Sequence, residues 1–352
     1  MGEGDASLCV SAIEALLEAF AVGDAFGMPT EFMTRGEIVS SLAGPSGLVE
    51  AFVEPERSRN HSNLARAQIT DDTEQNLYLM KAFLAEDRID GDVTARALLS
   101  WIRETGAVEK RYIGPSSFAA LTAIENGGDI ESAGMDGRTC GGLMRAPAAT
   151  LTALSRGWDL EASVRASCLP THNTETALEA AMAYAFALRA ALASSRPDGA
   201  ASAPAAADSQ AIAAVTEEAM AGARAGRAVA PYAMCAASTE ARVGYLRGFV
   251  SRVASAGELL DFLFGVFGTG LESADVAAAA MGIFMYAKTD VWLAIRMGAS
   301  AGGDTDTIAA LAGGLCAALG GTHNIPPAVL DEVKAVNHLR LGPLSAALAA
   351  RK

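Results

Sequence analysis

The sequence predicts an all-α fold, and three observations carry that prediction. Alanine, the strongest helix former, is abundant. Runs of β-branched residues are scarce. Apolar residues recur at three- and four-residue spacing along most of the chain. Hydrophobic residues make up 51% of the 352 positions and aromatics only 6%, so a sizeable core can be buried, built mostly from small aliphatic side chains.

Each element has its own signature. Ser7 reads as an N-cap, followed by Val10, Ile13, Leu16, Leu17 and Phe20 at helical spacing, with Gly23 and Asp24 as the break. Residues 36–67 read as a loop, with Pro45, Pro55 and several Gly, Ser and Asn. Thr70-Asp71-Asp72-Thr73 opens a second helix whose core stripe is Leu77, Met80 and Leu84. Helices are expected near 92–104, 115–126, 145–156 and 159–167, and strongly over 174–193. Residues 194–208, SSRPDGAASAPAAAD, are low in complexity and read as a looped insert. Core-type helices flank that insert, so the expectation is one domain over 1–352. Further helices are expected over 210–228, 238–255, 257–267 and 273–286, and Asp304 opens a last long one through Leu319. There is no fixed-period repeat, and strand content is expected to be negligible.

Charge and cysteine usage narrow the function classes. Twenty-seven basic and 41 acidic residues give a formal charge of −14. That sign repels nucleic-acid phosphates, and no basic run or basic–aromatic interleaving reverses it locally. Cys9, Cys140, Cys168, Cys235 and Cys316 are scattered, odd in number and without a CxxC, which argues against a disulfide framework or a cysteine–zinc site. The N-terminus has no basic region before an apolar stretch, and no uninterrupted apolar run reaches ~18 residues. The expectation is a cytoplasmic protein without a membrane or nucleic-acid partner.

Two acidic motifs stand out. Thr70-Asp71-Asp72-Thr73 has two readings: a helix cap, or half of a metal site. Gly302-Gly303-Asp304-Thr305-Asp306-Thr307 crowds the first turn of an apolar helix with four oxygen-bearing side chains, where capping needs one. In an established helix Asp304 and Asp306 would point ~200° apart. In a loop entering a helix they can converge. An EF-hand is excluded, because Ala309 and Leu315 stand where Gly and Glu would be needed. Four carboxylates meeting in space repel one another unless cations neutralise them. These oxygen donors suit Mg²⁺, Mn²⁺ or Ca²⁺ rather than zinc, and two carboxylate pairs suggest a two-metal site.

Three segments in order, Gly23-Asp24-Ala25-Phe26-Gly27-Met28-Pro29-Thr30-Glu31-Phe32, Thr70–Thr73 and Gly302–Thr307, resemble the ADP-ribosylglycohydrolase family over nearly the whole chain. The resemblance implies an orthogonal multi-helix bundle holding two Mg²⁺ (or Mn²⁺). It implies hydrolysis of the glycosidic bond at the anomeric carbon of ADP-ribose on a modified protein or small molecule. Thr70, Asp71, Asp72, Asp304, Asp306 and Thr307 would be the metal ligands, and Glu31 the acid/base or gate. Asp24 reads equally as a cap or as a hydrogen bonder behind the metals.

Thr139–Arg145 resembles the family's small-residue loop along the ADP-ribose cleft, which makes Cys140, Gly141 and Gly142 substrate-facing candidates, and Arg145 a phosphate contact or an ion-pair partner. Cys140 stands where many members have Asn. Thr171-His172 matches a Thr-His segment, with His172 either in the cleft or structural. Gly114 belongs to Tyr112-Ile113-Gly114, where several members have Asp in place of Tyr112. His61, His323 and His338 show no ligand spacing. Two other functions stay open: a metal-dependent N-ribosyl hydrolase of the nucleoside type acting on a small molecule, and a non-catalytic binding protein of the same fold. Clustered carboxylates without a metal would weaken such a binding protein.

Overall fold

The computed structural model describes residues 8–195 and 205–350. Among these every regular element is helical, and one isolated antiparallel bridge joins Thr139 to Glu272. In chain order the helices are α1 Val10–Gly27, α2 Arg35–Ser41, α3 Asp71–Glu86, α4 Gly91–Thr105, α5 Ala107–Lys110, α6 Pro115–Glu125, α7 Ile130–Ala133, α8 Gly141–Met144, α9 Ala146–Arg156 and α10 Leu160–Cys168. They continue with α11 Glu175–Ala193, α12 Ala205–Val229, α13 Thr239–Phe249, α14 Ala256–Phe262, α15 Ser273–Ala287, α16 Val291–Ala299, α17 Thr305–Gly320, α18 Pro327–Val336 and α19 Gly342–Ala349.

The centre is the pair α1 and α17. A helix apolar on all sides belongs inside a protein, and α17 is buried from Thr305 through Leu319, α1 from Ala15 through Gly27. Helices α15 and α16 pack beside α17, and α11 pairs with α12. Close approach of α1 and α17 rests on two glycines. A Cβ on Gly23 would lie 2.5 Å from the Ala309 carbonyl oxygen, and one on Gly27 would lie 2.4 Å from that of Thr305. Gly23 therefore does not end α1, as the sequence reading had it. The helix runs on to Gly27, because the missing side chain serves interhelical contact rather than a turn.

Other boundaries shift for equally local reasons. Ser7 lies outside the described residues, and Cys9 occupies the N-cap position of α1. The 36–67 segment is largely irregular, but α2 covers its start, set by a reciprocal Thr34–Glu37 capping box. Helix α12 begins at Ala205, inside the low-complexity run, whose residues 196–204 are outside the described ones. Helix α17 is followed by α18 and α19, each entered through a proline in its first turn. The segment expected as one helix over 257–267 is α14 followed by a π-turn over Leu263–Phe267. Helix α11 is long and apolar enough by composition to cross a membrane, but 78% of that stretch is buried inside the protein.

Candidate metal centre and cleft

The end of α1 and the starts of α3 and α17 meet at one point. Asp24, fully buried on the last turn of α1, accepts four contacts from the N-terminus of α3. These come from the Thr70 amide (3.0 Å) and hydroxyl (2.8 Å) and from the Thr73 amide (3.1 Å) and hydroxyl (2.5 Å). A carboxylate there satisfies amides that an α-helix leaves open and complements its dipole. Asp24 is thus the hydrogen bonder that fixes the acidic motif. Thr70 also caps its helix, its hydroxyl oxygen accepting from the Asp72 amide at 3.4 Å. Capping and acidic clustering coexist in this motif.

The second motif is held just as tightly. Gly302 and Gly303 adopt φ of +80° and +79°, and a Cβ on Gly303 would sit 1.9 Å from the Thr269 carbonyl oxygen. Only glycine meets both demands. The Asp304 amide donates to that carbonyl at 2.8 Å, and Gly303 exchanges backbone hydrogen bonds with Phe32 and Met33. Asp304 sits in the N-cap position with ψ of 67°, outside helical geometry. Both Asp304 and Asp306 consequently face one cleft.

That cleft is lined by Glu31, Asp71, Asp72, Asp304, Asp306 and Thr307, with Tyr112, Gly114, Cys140 and Gly141 on the surrounding wall. The Thr307 hydroxyl donates to Asp72 Oδ1 at 3.3 Å, and the Cys140 thiol donates to Asp304 Oδ2 at 2.9 Å. Among the described residues, no Lys or Arg forms an ion pair with Glu31 or with any of the five aspartates 24, 71, 72, 304 and 306. Burial first, then the neighbouring carboxylates, pushes Asp71, Asp72 and Asp306 well above the usual carboxylate range. Burial raises Asp24 to about 6, restrained by its threonine hydrogen bonds, and raises Asp304 to about 6 with help from Glu31. Burial, with Asp304 and Asp72 beside it, also pushes the Cys140 thiol up and keeps it protonated.

This donor set fits divalent cations. Asp72 Oδ2 is buried and has no hydrogen-bond partner among the described residues. Carboxylate oxygens of Asp24, Asp72 and Asp306 lie within 4.8 Å of one another, and so do ligand atoms of Glu31, His61 and Asp306. Asp306 belongs to both groups.

Not every residue singled out from sequence lines the cleft. The Thr70 hydroxyl is spent on Asp24. His172 is buried behind the small-residue loop, where its Nε2 meets the Thr139 hydroxyl at 3.0 Å and its Nδ1 the Thr171 hydroxyl at 2.8 Å. Burial lowers its pKa well below the ordinary range, so the ring is neutral. A Cβ on Gly141 would strike this ring at 2.6 Å, and one on Gly142 would meet the His172 Cβ at 3.0 Å. The two glycines let the loop lie on His172. Arg145 makes no ion pair. It is wholly buried and donates to Gln75 Oε1, the Ser167 carbonyl and the Thr171 hydroxyl. Tyr112 donates to Glu74 Oε2 at 2.6 Å and accepts from Lys110, so a phenol fixed by an acid forms part of the wall.

His61 is the residue that spacing could not reveal. It lies in an irregular loop thirty positions from Glu31, yet its Nε2 contacts Glu31 Oε2. Arg59 brings the loop in by donating to the Phe32 carbonyl, and within the loop the Ser58 hydroxyl accepts from the His61 amide at 3.0 Å. Asn60 also reaches Glu31 Oε2, at 3.4 Å.

Fold and site together define an all-helical protein whose acidic centre lies between two facing helix N-termini. The family model described as ADP-ribosylglycohydrolase matches residues 9–351, and the chain belongs to that family. Relatives include the uncharacterized protein YegU of Escherichia coli (strain K12), 29% identical over 94% of this chain and 93% of its own length. An uncharacterized protein of Archaeoglobus fulgidus is 32% identical over 48% of this chain and 52% of its own. A solved structure titled ADP-ribosylglycohydrolase-related protein complex shares the fold, with a TM-score of 0.60 at 23% identity, covering 97% of this chain and 96% of that one. Membership supports a glycohydrolase.

Proposed function

We propose that the protein is a metal-dependent hydrolase that cleaves the glycosidic bond at the anomeric carbon of ADP-ribose, carried on a modified protein or a small molecule. The observation that carries this reading is the shared position of Asp306 between two ligand groups, beside the unpartnered Asp72 Oδ2. Asp71, Asp72, Asp304 and Asp306 would hold two divalent cations of the Mg²⁺ or Mn²⁺ kind, with Thr307 beside them. Bound there, such ions supply positive charge that orients ribose hydroxyls and an attacking water.

The chain's own groups do the rest. Glycosidic cleavage passes through an oxocarbenium-like state, which a ring of carboxylates favours electrostatically. Glu31, buried in the cleft lining and in contact with Asn60 and His61, would take or give the proton. The loop at Cys140 and Gly141, with Tyr112 and Gly114 opposite, bounds the space left for the substrate.

The test is release of ADP-ribose by the metal-loaded full chain from arginine-, serine- and other ADP-ribosyl conjugates, with the matching plain ribosides run in parallel. The proposal expects higher kcat/KM on the conjugate with an intact diphosphate, because remote binding positions the sugar, and loss of activity in EDTA. A riboside cleaved better by kcat/KM makes the enzyme a nucleoside-type hydrolase instead. Failure on both, with metals bound, makes it a binding protein.

A further inference from the structure

The oxygen-only ligand set implied by the two acidic motifs is incomplete. We infer that the His61 imidazole is a nitrogen ligand to the metal ion on the Glu31 side of the centre, and that it biases that position towards Mn²⁺ and the later transition metals over Mg²⁺. This deepens the metal-dependent reading and rests on it.

Three observations carry it. Ligand atoms of Glu31, His61 and Asp306 converge within 4.8 Å, a spread that a shift of a few tenths of an ångström brings within reach of one ion with bonds of ~2.0–2.2 Å. All three side chains are buried, and no Lys or Arg among the described residues pairs with either carboxylate. Ser58 and Asn60 hold the histidine and its acid partner in place from the same loop.

The chemistry of the donors sets the consequence. A site of carboxylates and water accepts Mg²⁺ readily, whereas an imidazole nitrogen favours first-row transition ions, with affinity rising from Mn²⁺ onwards. The position around Asp72 and Asp306, with Asp71 and Asp304 beside it, has no nitrogen donor and is the one open to Mg²⁺. The two positions are thus chemically unequal.

The experiment uses the full chain stripped with EDTA and dialysed. Titration with Mn²⁺ and with Mg²⁺ by calorimetry is expected to give two sites, one preferring Mn²⁺ by about tenfold or more. In His61→Gln and His61→Ala that preference falls towards unity at one site, and the other site keeps its affinity. Pulsed electron paramagnetic resonance of the Mn²⁺-loaded wild type is expected to show directly coordinated nitrogen, lost in both variants. That measurement on unaltered protein decides the matter even if a variant folds poorly. Two bound ions without coordinated nitrogen overturn this inference alone. No bound ions in the wild type overturn the metal-dependent reading and this inference with it.

Discussion

Thr307 and Asp72 are 235 positions apart in the chain, yet the Thr307 hydroxyl donates a 3.3 Å hydrogen bond to Asp72 Oδ1. Through that bond the first turns of α17 and α3 face each other with their amide ends inward, where negative charge is favoured. Two helix N-termini offset part of the cost of gathering so many carboxylates. They do not remove it, because Asp72 Oδ2 still has no partner.

Asp306→Asn is therefore expected to separate stability from function. The metal-free variant should melt at or above the wild type, since one buried like charge is gone. Saturating Mn²⁺ should raise the wild-type melting temperature and leave the variant nearly unmoved; stabilisation by a ligand at a hundred times its Kd is about 2.7 kcal/mol. A variant that melts well below the metal-free wild type would contradict this.

The metal-free protein should lose stability as pH rises. Asp24 and Asp304 are raised from 3.8 to about 6 in the folded state, so their protonated forms are favoured by folding. Their contribution is fully present below the unfolded value and is lost as pH climbs through the folded one. Thermal melts in EDTA should fall between about pH 4 and pH 7. With saturating metal the trend should flatten or reverse, because protons then compete with the cations.

Glu31→Gln should lower kcat by about 10²- to 10⁴-fold, the usual range for a general acid or base. The position around Asp72 and Asp306 away from His61 should keep its affinity, since Glu31 is not part of that group, and the position on the Glu31 side should weaken, since Glu31 belongs to the group there. Turnover equal to wild type on ADP-ribosyl conjugates would remove Glu31 from the chemistry.

Gly27→Ala tests the packing beneath the site. In an open helix the change would favour folding by about 1 kcal/mol. Here the new Cβ meets backbone at 2.4 Å (Thr305) and 2.6 Å (Asp306), and forced overpacking costs about 1–3 kcal/mol. The clash wins, so the melting temperature should fall. Metal affinity should fall too, although no ligand is altered, because α1 and the start of α17 must move apart. Unchanged metal affinity in this variant would mean that the ligands are held by the loops alone.

What was legible in the sequence follows from where information is local. Asp304 and Asp306 could be singled out because the density of their motif exceeds what capping requires, and the Gly302-Gly303 turn told how they converge; Asp71 and Asp72, read alone, served equally as a cap. His61 was invisible because nothing in its own neighbourhood marks it; its role depends on a loop returning to Glu31. Gly23 misled because a glycine inside a helix looks the same whether it breaks the helix or admits a neighbour. Arg145 suggested phosphate or an ion pair, and burial beside Gln75 and Thr171 leaves it neither. The short helices α16, α18 and α19 lacked the long apolar periodicity that revealed α11 and α17.

The pairing of α1 with α17 also governs when the protein can become whole. Gly27 accepts a hydrogen bond from Thr305, 278 positions later. At roughly 5–20 residues per second of synthesis, α1 waits some ~15–55 s for the helix that covers it. During that interval an apolar helix stands without its neighbour, a natural client for a chaperone. The acidic centre, drawn from two segments far apart in the chain, can only close once α17 has been made. Cation capture thus has to follow synthesis of α17, and a product truncated before Asp304 would lack both the cover for α1 and the aspartates of the second motif.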